Sequence, residues 1–423
     1  MTYALLSHLR VIESSAFIAA PLAGLTLAQF GADVIRVDLI GGGIDYARLP
    51  RMPHPQDRGR SLYWTGLNKG KRSVAIDLRR PEGRELVQAL VTAPSTASGP
   101  TAREGGVLLT NIGTPWLAHA LLAQARPDVI SCTIQGDADG GTAVDYTVNC
   151  ATGYPATTGG GSLARPVNHV LPAWDIACAY QAAFAIAAAV GQRQRSGEGA
   201  ELKLALSDMA FSMLSHLGVM AESELLHTER PSIGNHVYGA FGRDFGTADG
   251  RRVMVVGISA GQWAALVKAT GQGEAVASLQ AGLGRDLGDE AVRFDAREAL
   301  ADLFEPWFAA RPYAEVAQQL DAHRVCWGPY RELRDLLADD PRASLANPVF
   351  ETLNTPGVGP HLGAGSAVRV AGQAREATAP APLLGGHTDE VLAEVLGLAS
   401  GAIGRLHDAG VVAGPERDPS LAA

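Results

Sequence analysis

The N-terminal region carries the feature that most restricts the fold, two short apolar runs on either side of a helical pattern. Leu9-Arg10-Val11-Ile12-Glu13 reads as a buried strand, and Pro21 to Phe30 repeats its apolar residues at helical spacing. Gly31 supplies a stop, and Val34-Ile35-Arg36-Val37-Asp38 is a second strand. Strand, helix and strand within about 30 residues form a parallel βαβ unit, so an open α/β sheet is expected. A dinucleotide fold would carry GxGxxG directly after the first strand. Ser14-Ser15-Ala16-Phe17-Ile18-Ala19-Ala20-Pro21 stands there instead, which argues against NAD even though Asp38 ends the second strand as a ribose-binding acid would.

The same alternation continues. Strands are expected at Val74–Asp77, Val107–Asn111, Asp128–Gln135 and Ala200–Leu206, with helices at Pro81–Ala93 and Trp116–Ala125. Lys69, Lys71 and Arg72 at a strand entrance read either as charge-assisted donors to phosphates or as a solvated basic turn. Pro94–Gly106 reads as a surface loop, and the polar, Gly-rich stretch Gly136–Asn168 is long enough to suggest a functional loop. Beyond Leu226 the composition turns aromatic and Gly-rich, and Ala248-Asp249-Gly250 marks a hairpin. These shifts divide the chain into a large domain over 1–227, a small α+β domain over 228–325, and a return to the large domain over 326–423.

One acid stands out. In Asn168-His169-Val170-Leu171-Pro172-Ala173-Trp174-Asp175, Pro172 suits the first position of a helix, which the apolar run Ile176–Val190 continues. Asp175 then lies in the first turn, where the macrodipole favours an ionised carboxylate amid apolar neighbours. That is what a nucleophile needs, although acids decorate many helix starts. Cys178 sits in the apolar helix and reads as a small core residue.

A formal charge of −9 in 423 residues argues against a generic nucleic-acid partner. The four cysteines, Cys132, Cys150, Cys178 and Cys326, are widely spaced, so neither a metal site nor a disulfide framework is indicated. The run Ile176–Val190 is shorter than a membrane span, and Met1 to Arg10 is too weakly apolar for a signal peptide. A cytoplasmic location with no membrane partner is the expectation.

Several ordered phrases resemble the family III CoA-transferases: Val11–Pro21, Gly31–Asp38, Asn68–Asp77, Pro81–Arg84, Gly197–Gly199 and Leu383-Leu384-Gly385-Gly386-His387-Thr388-Asp389-Glu390. The resemblance spans nearly the whole chain. It implies a Rossmann-like large domain built from both termini, an inserted small domain, and an interlocked homodimer. It also implies an acyl-CoA substrate and no cofactor or metal beyond the CoA moiety. The family's catalytic aspartate matches Asp175. Its CoA-binding positions fall on Ala19, Lys71, Arg72 and Asn111, with His119 near another. Leu39 replaces a family arginine, so the CoA contact there must differ.

The branch resembled most closely implies intramolecular transfer, with CoA moved from the C1 to the C4 carboxyl of mesaconate through anhydride and aspartyl-CoA intermediates. Ile18 stands where formyl-CoA transferases carry a glutamine, and Val144 where the racemase branch carries a second base. His169 and Arg243 are candidates for the free carboxylate, and Tyr238 belongs to an expected cover over Gly234–Gly242. The alternative is intermolecular transfer to a free dicarboxylate.

Overall fold

The computed structural model describes residues 2–56, 59–95, 103–159 and 165–421. Within the two expected loops, residues 96–102 and 160–164 therefore lie outside the described residues. Contacts divide the chain into two compact units, one of 1–151, 171–221 and 341–423, the other of 152–170 and 222–340.

The first unit is built on strands β1 (Arg10–Ser14), β2 (Asp33–Asp38), β3 (Arg72–Ile76), β4 (Val107–Thr110), β5 (Ile130–Gln135) and β6 (Ala200–Ala205). They pair in parallel in the order 3-2-1-4-5-6. The C-terminal part of the chain adds Val412–Ala413 antiparallel to β3 at one edge. Every residue of β1 and β4 is buried, as in a sheet covered on both faces.

Between them run helices α1 (Ala19–Gln29), α2 (Leu62–Leu67), α3 (Pro81–Thr92), α4 (His119–Ala125) and α5 (Asp145–Ala151). Val87, Leu90 and Val91 of α3 pack with Ile12, Ile35, Val74 and Leu108 of the sheet. Tyr154–Thr158 (α6) falls in the second unit, and α7 (Ala173–Ser196) returns to the first. The length and apolarity of α7 suit a membrane span, but it packs on α1, β5 and β6. Its buried face, with Cys178, Ala182 and Ile186, explains the composition. Gly24 lets α1 lie close to β1, since a Cβ there would come within 1.7 Å of Glu13 Oε2.

The second unit centres on an antiparallel sheet of Phe241–Gly246, Arg252–Gly257 and Cys326–Pro329. Phe241, Phe245, Phe304 and Phe308 are fully buried in its core with Trp263 and Trp307 beside them. This corrects two expected boundaries. Cys326–Pro329 is an edge strand of this sheet, so the small unit runs to Asp340 rather than 325, and residues 152–170 join it from upstream. Neither shift has a signal in local periodicity, because both are settled by tertiary pairing.

Candidate active site

In the strand order 3-2-1-4-5-6 the connections after β1 and β4 depart to opposite faces, and a crevice opens beyond their carboxyl ends. A cavity of about 370 Å³ lies there. Phe17, Ile18 and Ala19 line it after β1, Asn111 after β4, Gln135 at the end of β5 with Gly136 after it, and Leu206 after β6. Asp145, Tyr146 and Asp175 close another wall, and Arg48 and Tyr63 come from the segment between β2 and β3.

Asp175 is in the first turn of α7, as the sequence suggests, but its electrostatics differ from the expectation. The buried Asp145 takes the helix end: its Oδ2 accepts the N–H of Trp174 at 2.6 Å and of Asp175 at 3.1 Å. Trp174 Nε1 donates to Asn149 Oδ1 at 3.1 Å, which ties α5 to α7. The helix dipole thus serves Asp145. Asp175, desolvated and facing a second carboxylate, is pushed up from 3.8 to about 7, with only Arg48 pulling it down. It is a carboxylate of raised basicity rather than one held ionised by its helix. Burial likewise pushes the Cys178 thiol up to about 12, in keeping with a core residue.

Arg48 escaped sequence reading, since it sits in an exposed turn without regular structure. Arg36 of β2 donates to Asp45 at 2.8 Å, and the Arg48 N–H bonds the Asp45 carbonyl at 3.2 Å. Ser61 Oγ donates to the Arg48 carbonyl at 2.7 Å. Its guanidinium lies 5.6 Å from the Phe17 ring centroid and 5.1 Å from that of Tyr63, a cation held by aromatic faces. Among the described residues no carboxylate pairs with it. The Tyr63 hydroxyl is a buried polar atom with no partner among those residues, and burial pushes its pKa up to about 12. It stays a neutral donor.

The remaining residues divide by where their polar atoms go. Ile18, Ala19 and Asn111 line the cavity with Asp175. Lys71, expected at a phosphate, is buried, and Nζ donates to Glu13 Oε1 at 3.0 Å, Asn68 Oδ1 at 2.9 Å and the Pro21 carbonyl at 2.8 Å. All three of its protons are engaged. Arg72 starts β3, at the opposite end of the parallel strands from the crevice, and pairs with Asp33, Glu390 and Glu394. His119 is bonded through Nδ1 to Ser131 Oγ at 2.8 Å, near the start of β5, about 13 Å of strand from Gln135. These three are absent from the cavity lining. Lys71 and Arg72 are thus each engaged with carboxylates of the chain itself. In the second unit, Tyr238 bonds Glu222 and stacks on Arg230 at 3.9 Å, and Arg243 lies 3.7 Å from Glu305. His169, also there, has a buried Nδ1 with no partner among the described residues.

Residues 6–388 match the pattern of CoA-transferase family III. A 2-methylfumaryl-CoA isomerase of Chloroflexus aurantiacus is 49% identical over 414 residues, covering 98% of this chain and 99% of that protein. A succinyl-CoA–L-malate CoA-transferase beta subunit of the same organism is 27% identical, covering 96% of this chain and 98% of its own length. In structure, a CAIB/BAIF family protein from Brucella suis agrees with a TM-score of 0.74 at 24% identity, over 93% of this chain and 100% of that one. That last likeness concerns the fold.

Proposed function

This chain belongs to CoA-transferase family III, and from that premise we infer that it isomerises 2-methylfumaryl-CoA to 3-methylfumaryl-CoA with Asp175 as nucleophile. The observation that carries the reading is a desolvated carboxylate, Asp175, in one small cavity with Asp145 and with Arg48, which pairs with no carboxylate among the described residues. The near full-length match to a 2-methylfumaryl-CoA isomerase supports the substrate.

In the proposed sequence the Asp175 carboxylate attacks the C1 thioester carbonyl, and CoA leaves as thiolate. The thiolate attacks the aspartyl carbonyl of the mixed anhydride, releasing mesaconate and forming an aspartyl-CoA thioester. The C4 carboxylate then attacks that thioester, CoA leaves again, and a second anhydride forms. Thiolate attack at C4 frees Asp175 and gives the product. The acyl group enters and leaves as a CoA thioester and an activated acyl bond is kept at every intermediate, so no external energy source is consumed. At every stage at least one substrate carboxylate is free, and both are at the aspartyl-CoA stage. Arg48 is the group we assign to a free carboxylate, because a guanidinium positioned by the Phe17 and Tyr63 rings at the cavity wall binds a carboxylate through charge-assisted hydrogen bonds. The Tyr63 hydroxyl and the open end of α1, which has no side-chain cap, supply donors for the oxyanions. Tyr180 and Phe184, more than half exposed on α7, support assembly of two copies, which light scattering of the purified protein tests.

The decisive experiment mixes the enzyme with 2-methylfumaryl-CoA and follows Asp175 by mass spectrometry. A hydroxylamine-sensitive adduct on Asp175 is expected, and activity retained in Asp175→Ala refutes the reading. Labelled free mesaconate should stay out of the CoA esters; its incorporation makes the reaction intermolecular.

A further inference from the structure

At the switch point the strand ladder does not fix the loops after β1 and β4 against each other, because they diverge. The Asn111 side chain spans the gap. Asn111, the residue after β4, donates from Nδ2 to the Ala16 carbonyl at 2.7 Å and accepts the Ala16 N–H on Oδ1 at 2.9 Å. The carboxamide pairs with both backbone groups of one residue, as a neighbouring strand would. Phe17, next in the chain, holds φ at 63°, a left-handed conformation that a bulky residue adopts only when its surroundings impose it. Phe17, Ile18 and Ala19 then face the cavity beside Asp175, and Ala19 opens α1. Phe17 also supplies one of the two rings against Arg48. The amide the resemblance assigns to CoA is thus already engaged on its donor and acceptor sides.

We infer that Asn111 is a positioning residue for acyl transfer at Asp175: its two-point bond to Ala16 holds the Phe17 turn and the open end of α1 where the reacting carbonyl must sit. The inference rests on the acyl-transfer reading above. Misplacing reacting groups by about 1 Å costs on the order of 100-fold in rate, so a splint of this kind has a measurable share in turnover.

Two variants test it. Asn111→Ala removes both bonds, and Asn111→Asp keeps an acceptor for the Ala16 N–H while setting an oxygen against the Ala16 carbonyl. Each is mixed with 2-methylfumaryl-CoA and quenched at short times to measure the rate of adduct formation on Asp175. KM, melting temperature and hydrogen exchange at Ala16 and Phe17 are measured on the same preparations. The expected result is a fall of roughly 10- to 100-fold in kcat and in the adduct rate for both variants. KM should stay within about threefold, with faster amide exchange at Ala16. A raised KM with an unchanged adduct rate makes Asn111 a CoA ligand and overturns the inference. A lowered melting temperature with unchanged kcat overturns it too, by making the residue structural only. Unchanged exchange at Ala16 refutes the splint itself. Absence of an Asp175 adduct in the unsubstituted enzyme instead sinks the acyl-transfer reading.

Discussion

Replacing Asp175 by Asn should make the free protein more stable at neutral pH while abolishing its chemistry. The folded protein holds this carboxyl at about 7, against an ordinary value of 3.8, chiefly through desolvation and then through Asp145. Below pH 3.8 the group is protonated in both folded and unfolded states and contributes nothing. Between that pH and about 7 the unfolded chain releases the proton and the folded chain keeps it. Stability therefore falls as pH rises across this window and is flat above it. At about 1.4 kcal/mol per pH unit, the full displacement is about 4 kcal/mol. Water still reaches the half-buried group, so roughly half of that, ~2 kcal/mol, is the expected cost of its charge. Asn fills the same space without ionising.

Urea unfolding of the two proteins from pH 4 to pH 9 isolates the effect, since every other titrating group is common to both. The stability difference should be near zero at pH 4, grow in favour of Asp175→Asn up to pH 7, and level at ~2 kcal/mol, with equal m-values. A difference independent of pH, or one favouring the aspartate at pH 8, refutes the assignment of a raised value. It would restore a carboxylate stabilised by the dipole of α7.

The same displacement predicts that kcat/KM rises about tenfold per pH unit up to about 7 and is level above, because the nucleophile must lose its proton; a pH–rate profile checks this. Arg48→Gln should lower kcat/KM by roughly 10- to 100-fold through loss of a charge-assisted bond to the free carboxylate. It should also move the acid limb of that profile to higher pH, since Arg48 is the group that pulls Asp175 down. Lys71→Ala takes one of two buried cations from Glu13, leaving Arg36 at 3.3 Å, and should cost about 2–3 kcal/mol in thermal unfolding. The folded fraction should bind free CoA as before by calorimetry, in contrast to the loss that a phosphate contact at Lys71 requires.

What could be read from the sequence follows a physical division. The βαβ rhythm of residues 9–38 and the helix start at Pro172 are set by local periodicity and backbone chemistry, and both appear in the structure. Ion-pair choice is not local. Lys71 and Arg72 look alike as basic residues at a strand entrance, yet their partners, Glu13, Asp33, Glu390 and Glu394, come from elsewhere in the chain. Arg48 shows the converse. Its neighbours in sequence mark nothing, and its role follows from Phe17 and Tyr63, which the fold brings to it.

Asp145 joins these observations. Sequence reading gave the helix start to Asp175, but a side chain 30 residues upstream takes the first N–H groups of α7 instead. A carboxylate held by a dipole and two backbone donors is a weak nucleophile, because what stabilises the anion also lowers its basicity. With that place occupied by Asp145, Asp175 lies in the same field without its compensation. Its charge is disfavoured in the resting site and is relieved once it is shared with an acyl carbon. The proposed reaction requires Asp175 to form and release acyl bonds in turn, so a carboxyl near 7 is suited to both directions. Asp145→Asn tests the partition: Asp175 should then titrate lower, and the acid limb of the pH–rate profile should move below 7. An unmoved limb would mean that desolvation alone sets the nucleophile.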